Sequence, residues 1–402
     1  MLQRKNKRIR MKKKGLLILL IVLIMLIVLL IIKEINNNQV NKGLTLEELR
    51  SLPYLTYTEE KVNESEIGIV VKHNLELAFD GYNLYGCNLM DMEGNIVHSW
   101  NLPIRASVIL ENGDIIIEPA NKKFIGKYDW DSNVIWEKDV FIHHEITLSP
   151  DNTILIPSRE MHEYNGRKID FDLIIELSQE GEEVSRWSTY ENFDYIKKFH
   201  EPSELDQPIH SYNEDKEEVY DYYHLNSIQV LPETPIGKND KRFQEENWLL
   251  SFRNVNLVVI LDKETKEIVW SWGLGELAGQ HSPKMLDNGN ILIYDNGLYR
   301  RDYTRVIELD PIKKEIVWEY KANPPESFFS EREGYAQRLS NGNTLITDSK
   351  KGRVFEITKD GKIVWEWLFS GTIEEGRGSP IYRMVRYPKD KINKLLELHK
   401  NN

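Results

Sequence analysis

The 402-residue chain reads as an all-β protein, a six-bladed β-propeller preceded by one N-terminal transmembrane helix. Three observations predict this: a phrase ending in an aromatic residue that recurs six times, a hairpin phrase that pairs with it, and one unbroken apolar run near the N-terminus. The recurring phrase is MEGNIVHSW (92–100), DSNVIW (131–136), EGEEVSRW (180–187), TKEIVWSW (265–272), KKEIVWEY (313–320) and DGKIVWEW (360–367). The hairpin phrase is ENGDIII (111–117), PDNTILI (150–156), DNGNILIY (287–294) and SNGNTLIT (340–347). Asn-Gly between β-forming runs is a strong hairpin signal, and it predicts type I′ turns with positive φ at both central residues.

Successive tryptophan phrases lie about 36 to 51 residues apart, the period of a propeller blade, except for a gap of about 83 between Trp187 and Trp270. That gap contains HLNSIQVLP and ENWLLSF, the first two strands of the blade that Trp270 closes. Its excess therefore lies in polar insertions at about 188–221 and 233–245, which read as solvated loops. Apolar residues alternate with period two almost throughout, and helical spacing is confined to TLEELRSL (45–52) and KDKINKLLELHK (389–400). The tryptophans are assigned to blade core.

Leu16 to Ile32 is a run of 17 apolar residues, enough for a helix to cross a bilayer, and it ends in Ile-Ile-Lys-Glu with no small-residue cleavage site. Eight Lys and Arg precede it within residues 1–14, which places the N-terminus inside and the rest of the chain outside the cytoplasm. The expected organisation is a cytoplasmic basic segment (1–14), a transmembrane anchor (15–33), a linker (34–66), the propeller (67–388) and a polar C-terminal tail (389–402), with the propeller extracytoplasmic at the cell membrane. Setting those eight positive charges against the net charge of −12 leaves −20 on the remainder, a balance that excludes nucleic acid as a partner. Cys87 is the only cysteine, so no intramolecular disulfide forms, and the thiol reads as a small buried strand residue.

Counting back seven positions from each hairpin turn finds Arg105, His144, His281 and Gly334, and His224 opens the corresponding strand of the fourth unit. Inner strands of a propeller line its channel, so these positions form a ring at one mouth. A second ring closes over the first where the second strands end: Glu118, Arg159, Arg253, Asp295 and Asp348. His73, His98, His162, His200, His210 and His399 fall outside the register and read as structural or solvated. Three imidazoles can hold zinc, but Arg105 and Arg253 would place positive charge beside the cation and no carboxylate shares the histidine register. A His/Arg ring suits an anion with three peripheral oxygens, so no metal is assigned and the expected ligand is a sulfate ester, phosphate ester or carboxylate.

IHHEITLSPDNTILI (142–156), DYYHLNSI (221–228) with the arginine of LSFRN, QHSPKMLDNGNILIYDNG (280–297) and EGYAQRLSNGNTLI (333–346) resemble the bacterial arylsulfate sulfotransferases over most of residues 67–388. Those are six-bladed propellers that move a sulfuryl group between phenols without a nucleotide donor. The resemblance implies that His281 is the transiently sulfated nucleophile. It also implies that His144, His224, Asn226 and Arg253 hold the sulfuryl or bridging oxygens, and it assigns Tyr82 and Tyr85 of FDGYNLYGCNL to an aromatic segment near the substrate. No cofactor is implied, and the partners are a small aryl sulfate donor and a phenolic acceptor. Periplasmic relatives carry an extra dimerising N-terminal domain for which residues 33–66 leave little room, so the oligomeric state is left open. The competing reading is a non-catalytic membrane-anchored propeller that binds an anionic ligand or a protein partner at its channel mouth. Convergence of His144, His224, His281 and Arg253 within a few ångströms separates the two.

Overall fold

The structure is a computed structural model that describes residues 68–102, 104–119, 122–200, 209–212, 218–369 and 381–400. The expected transmembrane helix and linker lie outside those residues. No helix among the described residues is long and apolar enough to cross a membrane.

The described strands form six sheets, the blades of a propeller. Blade 1 comprises Gly81–Tyr85, Asn88–Met90 and Ile96–Ser99, and its innermost strand, Met384–Pro388, arrives from the far end of the chain. Blades 2 to 6 open with the inner strands Ile104–Ile109, Thr147–Leu148, Leu225–Val230, His281–Met285 and Tyr335–Arg338. A fifth strand, Gly68–His73, pairs outside Ile363–Phe369 in blade 6.

The six recurring phrases are the outermost strands of the six principal blade ladders, and their tryptophans do more than fill core. The indole N–H of Trp136 donates to the Gln179 carbonyl at 2.9 Å, Trp270 to Pro311 at 2.9 Å, Trp318 to Lys359 at 2.8 Å and Trp365 to Met92 at 2.9 Å. Each acceptor sits in the turn before the outer strand of the next blade, so a repeated tryptophan staples neighbouring blades, and Trp365 staples the last blade to the first. Strands such as Leu257–Leu261 and Ile291–Asp295 are buried at every residue because a neighbouring blade covers each face of the sheet, which explains their unbroken apolar runs.

The Asn-Gly phrases do form hairpins, by a different turn than expected. Only the glycine takes positive φ (Gly113 +92°, Gly289 +86°, Gly342 +88°), as in a type I turn followed by a left-handed residue. The preceding Asn side chain instead accepts from the backbone N–H two residues on, at 3.2 Å for Asn112 and 3.0 Å for Asn288 and Asn341.

The tail forms the helix that its spacing predicts, Lys389–Leu398, but it is not merely polar: Ile392 and Leu395 are buried in one cluster with Trp100 and Trp130. The insertion before His224 is not simply a solvated loop. Its segments Ile209–Tyr212 and Glu218–Asp221 pair with each other, and the second adds in parallel to Arg167–Leu177 of blade 3.

The circle is closed by Arg386 on the C-terminal strand. Its fully buried guanidinium pairs with fully buried Glu356 of blade 6, donates to Asn83 Oδ1 of blade 1 at 2.8 Å and lies 4.4 Å from the Trp365 ring centroid. Removing one partner of a buried ion pair leaves an uncompensated charge. Arg386→Ala is therefore expected to cost about 3–5 kcal/mol, read as a lowered urea midpoint; a midpoint unchanged from the parent would show that closure is held elsewhere.

Candidate functional site

Inner strands start, and second strands end, at the same mouth of the channel, so a residue at or just ahead of the start of each inner strand faces its counterparts in the other blades. His144 and His224 both adopt the left-handed backbone region there (φ +74° and +56°), a conformation that costs a non-glycine residue energy and is kept where the fold enforces it. Gly334 occupies the sixth-blade position with φ +107°, and a Cβ on it would lie 2.3 Å from the Tyr294 ring, so no side chain is possible.

The ring encloses a cavity of about 310 Å³ whose wall includes Arg105, His144, His224, Arg253 and His281. The three ring histidines come together, with His144 Nε2 and His224 Nε2 2.8 Å apart and the His144 and His281 ring centroids 6.0 Å apart, and Arg253 lines the same wall. Of the second ring, only Arg159 and Arg253 reach the wall. Glu118 pairs with Arg105 at 2.6 Å, Asp295 with Arg301 and Arg305 at 2.6 and 2.8 Å, and Asp348 accepts from the Lys351 backbone at 3.3 Å.

Three substrate-binding expectations do not hold as contacts with this cavity. Asn226 donates to the Gln280 carbonyl at 2.8 Å and so braces the residue before His281 instead of lining the wall. Tyr82 donates its hydroxyl to Asn393 of the C-terminal helix at 2.8 Å, and Tyr85 packs on Trp367 with centroids 5.0 Å apart; neither is in the cavity wall.

His281 is 3% exposed, and its orientation is set by its neighbours. Nδ1 lies 2.8 Å from Asn296 Oδ1 and 3.1 Å from the Gly279 carbonyl, two acceptors, so Nδ1 carries the proton and donates. Nε2 therefore keeps its lone pair, and it has no hydrogen-bond partner. Burial, with Arg253 nearby, lowers the His281 pKa to about 3, so the imidazole is neutral at physiological pH.

The other imidazoles form a proton chain. Tyr382, just ahead of the C-terminal strand, faces His144 Nδ1 at 3.1 Å, and Arg105 stacks 3.8 Å from its ring centroid. His224 Nδ1 bonds Asp221, whose carboxyl burial pushes up to about 6, still ionised at neutral pH. A carboxylate only accepts, so His224 carries its proton on Nδ1 and accepts at Nε2, His144 donates from Nε2, and Tyr382 donates to His144 Nδ1. Burial holds His143, His144 and His224 well below the ordinary histidine pKa, so all are neutral.

His143, Asp221, Tyr382 and Asn296 were missed in the sequence. His143 sits one residue outside the repeat register, Asp221 and Asn296 belong to connecting segments, and Tyr382 precedes a strand that carries no repeat phrase. The donor atoms of His143, His144 and His224 lie within 4.8 Å of one another, the nearest approach to a metal-ligand set among the described residues. The two Nε2 atoms are closer than the roughly 3.3 Å that two zinc ligands at about 2.0 Å in tetrahedral geometry would adopt, and a shared proton satisfies them. Arg253, Lys122 and Arg159 each add positive potential at His224, so the wall fits an anion better than a cation.

A family model described as arylsulfotransferase (ASST) matches residues 106–370. The chain belongs to the arylsulfotransferase family. In general terms it is a sulfotransferase, and the match spans the inner strands of blades 3 to 6 with all three ring histidines. Among solved structures, the chain is similar to a protein of unknown function from Bacteroides caccae (16% identity, 77% of this chain and 100% of that chain, TM-score 0.49). It is also similar to streptogramin B lyase (14% identity, 77% and 90%, TM-score 0.42) and to a catalytically inactive virginiamycin B lyase from Staphylococcus aureus with quinupristin (12% identity, 74% and 87%, TM-score 0.40). A search of curated proteins returns no match.

A depressed histidine pKa has a signed consequence. Between the ordinary value of 6.5 and about 3 the unfolded chain binds a proton at position 281 that the folded chain refuses, so His281 costs stability as pH falls through that window. The parent is expected to lose stability relative to His281→Gln as pH drops below 6.5, measured by urea unfolding at a series of pH values. Nitrogen chemical shifts of His281 that titrate near 6.5 in the folded protein would contradict the assignment.

Proposed function

We propose that the protein transfers a sulfuryl group from an aryl sulfate to a phenolic acceptor through a transient sulfohistidine at His281. The observation that carries this reading is the His281 Nε2 lone pair, buried and without a partner in the wall of a cavity that also holds Arg253 and three other imidazoles. Membership of the arylsulfotransferase family supports the substrate class.

Sulfuryl transfer, like phosphoryl transfer, is promoted chiefly by positioning and by stabilising charge on peripheral and leaving oxygens. The Nε2 lone pair forms the N–S bond as the S–O(aryl) bond breaks, and that electron pair leaves on the phenolate oxygen. His144 passes its Nε2 proton to that oxygen while Tyr382 passes its phenolic proton to His144 Nδ1, so the negative charge comes to rest on the Tyr382 oxygen beside Arg105. In the second half, the oxygen of an acceptor hydroxyl takes sulfur from His281 as its proton goes to His144 Nε2 and the His144 Nδ1 proton returns to Tyr382, a ping-pong cycle. Phenols have a pKa of about 10, low enough for a leaving group, which favours aryl over alkyl sulfates. Arg253 supplies charge to the peripheral oxygens; its Nε and Nη2 are steadied by the neutral Asn254 amide at 3.1 and 2.9 Å, so its charge is not cancelled by that partner.

In the same proposal residues 16–32 anchor the chain and the propeller works outside the cytoplasm, supported by the apolar run and the basic cluster before it.

The test is incubation of the full-length chain in detergent with 4-nitrophenyl sulfate. A burst of nitrophenol is expected, with one sulfuryl group gained on the His281 peptide by mass spectrometry; a burst undiminished in His281→Ala would refute the assignment. Arg253→Ala is expected to slow the burst by about 10² to 10³, the effect of losing one oxyanion donor, and an unaltered rate would place the oxygens elsewhere.

A further inference from the structure

The charges around the cavity do not balance once the sulfuryl group has been accommodated. Each carboxylate in the wall is already engaged. Glu333 pairs with Arg105 at 3.4 Å and Asp170 with Arg159 at 2.7 Å. Asp221 pairs with His224, and Asp172 accepts from the Leu225 backbone N–H at 2.7 Å. Burial pushes the Asp172 carboxyl well above its ordinary range, which further reduces negative charge on that side.

Three cations in the same wall, Lys122, Arg332 and Lys350, have no ion pair or side-chain hydrogen bond among the described residues. Their positions are built into the repeat. Lys122 follows the second strand of blade 2 and Lys350 the second strand of blade 6, equivalent turns at the mouth that also holds the histidines, while Arg332 lies just ahead of the inner strand of blade 6. Lys122 is held there with φ +60°, and burial lowers its pKa, so its ammonium is only partly hydrated. Arg332 adds positive potential at both Arg253 and His224. Glu118 and Glu333 attract Lys122 without pairing with it, and cations lining one partly enclosed cavity repel one another, so an anion entering from outside stabilises them. Arg253 and the imidazoles suffice for one sulfuryl group, which leaves Lys122, Arg332 and Lys350 available to a second anion in the same cavity.

Resting on the sulfuryl-transfer reading, we propose that the preferred substrates are phenols, and their sulfate esters, that carry a second anionic group such as a carboxylate on the far side of the ring. The ring spans the cavity, the ester end faces His281 and the second anion faces Lys122, Arg332 and Lys350.

Inert sulfonates test this without turnover, because they lack the S–O(aryl) bond that breaks. Calorimetry on the full-length chain in detergent compares 4-(carboxymethyl)benzenesulfonate with 4-methylbenzenesulfonate. The carboxylate compound is expected to bind about tenfold tighter or better, and Lys122→Met with Lys350→Met is expected to reduce that preference to about twofold. In the parent, raising salt is expected to erode the preference, which keeps the test decisive if the double variant misfolds. Equal affinity in the parent, a preference indifferent to salt, or one that survives in a folded double variant overturns the proposal. Failure of both sulfonates to bind would instead count against the anion cavity itself, and so against sulfuryl transfer along with this proposal.

Discussion

Ring closure is the constraint on which the rest of this molecule depends. The sheets of a propeller share no backbone ladder with one another, so the circle is held by packing, by side-chain bonds between blades such as the tryptophan staples, and by the strand that the C-terminus lends to blade 1. Arg386 makes that loan specific. An unpaired guanidinium in the core would be prohibitive, so the last strand is stable only in the register that brings Arg386 to Glu356 and Asn83. The same register carries Tyr382 to His144 and Arg383 to within 3.2 Å of Glu145. Closure and site assembly are therefore one event.

The site works by keeping imidazoles neutral beside positive charge. Desolvation and the nearby guanidinium both disfavour imidazolium, which leaves a nucleophilic nitrogen available at neutral pH without a base to deprotonate it. Asn296 decides which nitrogen that is, because an amide oxygen and a carbonyl both demand the Nδ1 proton. Asp221 performs the corresponding task for the His144–His224 pair, fixing the direction of every proton in the chain from Tyr382 inward. Neutral histidines within an excess of cations suit an anion; the same histidines among free carboxylates would favour a metal.

Much of the fold was legible because its repeat is written in residues with fixed geometric duties. Asn-Gly marked the hairpins even though the turn type differs, since the glycine supplies positive φ and the asparagine supplies an acceptor in either geometry. His144, His224, His281 and Arg253 were legible as a set because repeat register translates into position around a channel. Tyr82 and Tyr85 were misplaced because a local aromatic motif says nothing about which face of the blade it occupies, and packing on Trp367 and the C-terminal helix decides that. Asn226 was placed in the right neighbourhood with the wrong contact, one carbonyl behind His281.

By itself the sequence determined the blade count, the outer strand of each blade, the inner strands of blades 2 to 6 and the ring of histidines, because alternation, turn chemistry and a fixed period are local properties that repetition reinforces. Only the tertiary structure decided the partners of those histidines. Asn296, Asp221 and Tyr382 lie in connections without repeat signal, 15, 3 and 238 residues away along the chain from the imidazoles they orient. Which of two ring nitrogens is left bare depends on those contacts across space, and no spacing along the chain encodes them.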